Sequence, residues 1–130
     1  MIYTDETTID DVLAAWDAGD TIWSVEMGGL GPGYEQALQL FAVELLRSPE
    51  FRACCPPGGG EWVGGIEAMR SARNAVYQAK CRDLGLSGAQ AGAATNIASM
   101  LICMGPRKAI DAAPMDRQIQ VSKRWPQVQS

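Results

Sequence analysis

The stretch "YEQALQLFAVELLR", Tyr34–Arg47, decides the fold. Tyr34, Leu38, Phe41 and Leu45 form one stripe at helical spacing, while Leu40 and Val43 lie on the opposite side. A helix that is apolar nearly all round is covered on every side, so this segment is expected to be the central helix of its domain. Upstream, "TIWSVEM" (Thr21–Met27) alternates, with Thr21, Trp23, Val25 and Met27 facing one way and Ile22, Ser24 and Glu26 the other. Such a pattern predicts a half-buried strand, which "RQIQVSKRW" (Arg117–Trp125) can pair with through Ile119 and Val121.

The remaining segments read as helices. "TTIDDVLAAWDAGD" has a threonine cap at Thr7 or Thr8, early aspartates and a stop at Gly19. "SPEF" starts a short turn with Pro49 in its first positions. "CCPPGGGEWVGG" (Cys54–Gly65) is a breaker cluster, expected as the longest irregular stretch. "IEAMRSARNAVYQAKCRDL" runs as a helix to Gly85, and "SGAQAGAATNIASMLICM" runs from a Ser87 cap to Gly105-Pro106. "PRKAIDAA" adds a further helical turn or two. The expected fold is helix-dominated α+β, with five or six helices around a buried central helix and a minor two- or three-stranded sheet. One domain spans 1–130, with an irregular Gly/Pro-rich loop near 54–65. Leu40, Phe41, Leu45, Ile97 and Leu101 are expected in its core.

Composition narrows the function classes. The 130 residues carry 47% hydrophobic and 20% charged side chains, an ordinary globular balance. A net charge of −4 argues against general nucleic-acid binding. Four cysteines, no CxxC pair and no histidine argue against zinc and suit reduced thiols in a cytoplasmic protein. No metal or cofactor is expected. The start "MIYTDETTIDD" lacks the apolar segment of a signal peptide. The charge-free run Leu84–Pro106 is too polar and glycine-interrupted for a membrane span, so it reads as a buried helix.

Four constellations carry chemical interest. In the turn after Met27, glycines stand at Gly28, Gly29, Gly31 and Gly33, which fits neither the dinucleotide fingerprint nor a P-loop. Backbone N–H groups there can still contact a ligand, although Glu26 and Glu35 flank the turn and repel an anion. Alternatively the glycines only supply a tight turn. Second, at 3.6 residues per turn Arg70, Arg73, Tyr77 and Lys80 share one border of a helix. Arginine beside tyrosine suits a phosphate, a base or an acidic protein surface; pairing with Glu44 or Glu35 is the internal alternative. Third, Gly88, Gly92 and Asn96 recur every fourth position and allow close backbone approach or a homodimer. Fourth, without histidine no Ser–His or Cys–His nucleophile exists. An enzyme would have to rest on carboxylates such as Glu26 and Glu35, alone or with a divalent cation. Cys54 and Cys55, before Pro56, read as exposed but lack an activating base.

Two stretches, "WSVEMGGLGPGYEQA" (Trp23–Ala37) and "GLSGAQAGAATNIA" (Gly85–Ala98), resemble small uncharacterised proteins of phages and prophages. The resemblance implies an accessory protein that acts on host machinery by binding, as anti-defence inhibitors and nucleotide-signal sponges do. It carries over no catalytic residue. The expected function is therefore a non-catalytic binding protein for a host protein or a small phosphorylated ligand. Arg70, Arg73, Tyr77 and Lys80 are its expected contacts, with the Gly28–Gly33 loop adding backbone groups.

Overall fold

A computed structural model describes residues 3–19 and 35–112. Helix α1 (Ile9–Asp17) opens on a reciprocal cap, in which Thr8 Oγ1 accepts from Asp11 N–H and Asp11 accepts from Thr8 N–H. Helix α2 (Glu35–Arg47) leads into α3 (Pro49–Cys54), whose cap Ser48 accepts from Phe51 N–H at 3.1 Å. Helix α4 (Gly65–Val76) continues through a π-helical turn (Tyr77–Cys81) and a short 3-10 turn (Arg82–Leu84). Gly85 then reverses the chain at φ 65°, a left-handed conformation that glycine adopts without steric cost. Helix α5 (Gly88–Met104) begins on a second reciprocal cap between Ser87 and Gln90, and α6 (Pro106–Ala112) follows Gly105.

The architecture is helical throughout the described residues, which corrects the α+β expectation. No strand or sheet forms among them. The two alternating segments on which the sheet rested, 21–27 and 117–125, lie outside the described residues. The physical reason is visible around α2. Helices α1, α3, α4, α5 and the π turn all pack on it, so its all-round apolar surface is covered without a sheet. Phe41, Ala42, Val43, Leu45 and Leu46 of α2 are buried, as are Ala94, Ala98 and Leu101 of α5. Phe41, Leu45, Ile97 and Leu101 are core as expected, whereas Leu40 is only half-buried.

The close approach of α5 to α2 uses alanines rather than the glycine repeat. A Cβ placed on Gly88 or Gly92 would meet nothing within 4 Å, and Asn96 is exposed. The polar side chains of α5 are satisfied locally: Thr95 Oγ1 donates to Ala91 C=O at 2.7 Å and Ser99 Oγ to Asn96 C=O at 3.1 Å.

The breaker cluster is a loop between α3 and α4, tied down at several points. Val63 N–H donates to Cys54 C=O at 3.0 Å, and Gly58 N–H donates to Cys103 C=O at 2.7 Å. Trp62 leans on Phe51 with ring centroids 6.2 Å apart. The loop ends at Gly64, where φ is 80° and a Cβ would sit 3.0 Å from Ala68 Cβ. Both restraints select glycine there.

Burial of the loop base overturns the reading of Cys54 and Cys55 as exposed. Their relative exposures are 8% and 5%. Burial, with Cys103 and Cys54 nearby, pushes the Cys55 thiol up to about 12. Burial and the Glu44 carboxylate push Cys81 up to about 11. Below the ordinary thiol value of 9.0 both groups are protonated whether the chain is folded or not. Above it the unfolded chain loses protons that the folded chain keeps, so stability falls as pH rises from 9.0 toward about 12. Urea midpoints measured across that window are expected to decline less steeply in Cys55→Ala and in Cys81→Ala than in the parent. Equal slopes in all three would refute this origin.

Candidate functional site

The expected basic face does not stay together. Along α4, Arg70, Arg73 and Tyr77 follow the 3.6-residue period, but the π turn at Tyr77–Cys81 advances less per residue. Cys81 thereby reaches the core at 2% exposure, and Lys80 lines a different depression from Arg73. Arg70 is exposed and pairs with Glu67 of its own helix at 3.5 Å, a surface contact of small energetic weight.

Arg73 and Tyr77 do converge. With Asn74 they form one wall of a cleft of about 240 Å³, closed by Phe41 and by Ser87, Gly88 and Ala91 at the start of α5. The Tyr77 ring is held edge-on against Phe41, centroids 5.3 Å apart at 71°. Arg73 Nε–H donates to Asn74 Oδ1 at 3.4 Å, and no carboxylate among the described residues pairs with it. No acidic side chain among the described residues lines the cleft. The first turn of α5 points N–H groups to this end of the helix. Ser87 takes the one at Gln90, while Gly88 and Ala89 lie earlier in the turn, where no intrahelical acceptor exists. A cation, a phenol and a helix N-terminus thus meet in one recess, an arrangement that favours an anion.

Lys80 lines a second and larger depression of about 910 Å³ between α2, α3 and α4. Its floor is Ala68, Ala72, Ala75 and Ala79, and its rim alternates in charge through Glu44, Arg47, Glu50 and Lys80. Glu44 therefore stands apart from Arg73, and the internal pairing considered for it does not form. The other sequence candidates are out of view: Glu26, Gly28, Gly29, Gly31 and Gly33 lie outside the described residues. Glu35 begins α2, with its side chain likewise outside the description.

Sequence reasoning missed Asn74, Ser87 and Gly88 as part of this cleft. The Ser87 cap was legible and marks a helix N-terminus, but nothing local says that the terminus faces Arg73. No group of three or more metal-ligating side chains occurs among the described residues, and none of their helices is long and apolar enough to cross a membrane. No family model, curated protein or solved structure matches the chain.

Proposed function

We propose that this chain is a non-catalytic binding protein that takes a small phosphorylated ligand in the cleft between α4 and the start of α5. One observation carries the reading: Arg73, uncommitted to any carboxylate among the described residues, faces the capped N-terminus of a 17-residue helix across a recess that no described acidic side chain lines. The guanidinium supplies paired N–H donors to a phosphoryl group, and the first turn of α5 adds backbone donors and its dipole. Tyr77 offers a hydroxyl and a ring edge beside them. The recess matches a phosphate with part of a nucleoside rather than an extended polymer. The resemblance to phage and prophage proteins supports sequestration of a host-made ligand as the mode of action.

A thermal-shift and calorimetric screen with inorganic phosphate, mononucleotides and cyclic dinucleotides tests this. A phosphate-bearing compound is expected to raise the Tm, and Arg73→Glu to weaken it about 10- to 100-fold, the worth of a charge-assisted hydrogen bond. Ala75→Arg, in the other groove, should leave the affinity unchanged. Unaltered binding in Arg73→Glu would sink the proposal, as would the absence of any shift across the screen.

The reading of a host-protein partner draws support from the alanine-floored groove, whose length and mixed rim suit a segment of another protein. In that case Ala75→Arg blocks capture of the partner, and Arg73→Glu does not.

A further inference from the structure

We propose that Cys55 and Cys103 are a redox-active pair that closes into an intramolecular disulfide, fastening the end of α3 and the glycine loop to the last turn of α5. The placement rests on three contacts. Cys55 caps α3, and its thiol donates to Phe51 C=O at 3.5 Å. Its sulfur lies near that of Cys103. Three residues on, Gly58 N–H donates to Cys103 C=O at 2.7 Å, so the two backbones are already tied side by side.

The other cysteines are placed differently. Cys54 lines the alanine-floored groove, and a bridge between adjacent residues 54 and 55 would strain the chain. Cys81 is buried next to Glu44. The pair therefore has defined members and no competing partner among the described thiols.

The two thiols also have different roles. Cys103 is half-buried, so a small oxidant can reach it, whereas Cys55 is only 5% exposed. Cys103 is accordingly the attacking sulfur and the buried Cys55 the resolving one. With a low-molecular-weight disulfide such as oxidised glutathione as oxidant, the Cys103 thiolate attacks one of its sulfurs. The glutathione S–S bond breaks, a mixed disulfide forms on Cys103, and one glutathione leaves as thiolate. Cys55 then loses its proton and attacks the Cys103 sulfur, releasing the second glutathione. Two protein thiols are oxidised, one disulfide is reduced to two thiols, and the two thiol protons end on the two glutathiones.

Closing the pair fixes a long chain loop, from α3 through α4 to the end of α5, and so restricts the unfolded chain. The experiment uses the full-length protein, incubated natively with oxidised glutathione and digested with trypsin without reduction. A linked pair of peptides, Ala53–Arg70 with Asp83–Arg107, is expected, with a raised Tm that dithiothreitol reverses. Since Ala53–Arg70 holds both Cys54 and Cys55, Cys54→Ala should still give the link, and Cys55→Ala should stop at a mixed disulfide on Cys103. Circular dichroism checks that each variant is folded, and the parent's peptide map stands without them. Absence of the linked pair in the parent overturns the proposal, as does a link that survives in Cys55→Ala or is lost in a folded Cys54→Ala.

Discussion

Phe41→Ala is expected to remove about 3–5 kcal/mol of folding stability, the range for emptying an aromatic site in a packed core. The parent side chain has no exposed surface and sits on the helix that every neighbouring element touches. Its loss also deletes the edge-to-face contact with Tyr77, worth a further ~0.5–1.5 kcal/mol. Domains of this size have about 5–15 kcal/mol in total, so the variant should be partly unfolded near physiological temperature. Urea denaturation followed by circular dichroism reads this directly. The prediction has a second arm because Phe41 is also a wall of the cleft. Phe41→Leu keeps most of the volume and should remain folded, yet it frees the Tyr77 ring to move and should weaken any ligand held there. Phe51→Ala is the control: it is equally buried but packs on Trp62, away from the cleft, so it should lower stability without a specific effect in a folded sample. A Phe41→Ala midpoint within experimental error of the parent would contradict the central placement of α2.

What was legible in the sequence is what local chemistry determines. Thr8 with Asp11, and Ser87 with Gln90, are reciprocal caps that need only four consecutive residues, and both helix starts stand where those signals put them. The all-round apolar pattern of Leu38–Leu46 announced a central helix for the same reason: coverage is implied by composition. Three features were not legible, each because a distant partner decides it. A strand needs a neighbour to pair with, which the alternation in Thr21–Met27 cannot name; those residues lie outside the described ones, and the described neighbours of α2 are helical. The π turn at Tyr77–Cys81 buries Cys81 and separates Lys80 from Arg73, and a uniform helical projection contains no sign of it. Cys54 and Cys55 stand beside Pro56, which reads as surface; the anchoring of that loop by Gly58 and Trp62 puts them inside. Of the candidate site, then, the members Arg73 and Tyr77 could be named, while the helix end opposite them could not.

Gln39→Met is expected to stabilise the protein by about 1–3 kcal/mol, the cost of leaving a buried amide without partners. Gln39 is a polar residue on α2 between Leu38 and Leu40. It is nevertheless only 1% exposed, and neither its Oε1 nor its Nε2 has a hydrogen-bond partner among the described residues. Its neighbours one turn along the helix, Ala42 and Val43, are buried and apolar. In the unfolded chain the same amide is fully hydrated, so folding strips it of water and returns nothing. Methionine keeps the unbranched length of the side chain and removes both polar atoms, so the cavity stays filled while the penalty disappears. Gln39→Glu moves the other way, since a buried carboxylate either carries an unpaired charge or takes up a proton to avoid it. Denaturant midpoints should therefore rank methionine above the parent and the parent above glutamate, with m-values unchanged if only the native interior is altered. A methionine variant less stable than the parent would mean that the amide is bonded in solution, for instance to a buried water, and that polar contact would then belong to the core rather than count against it.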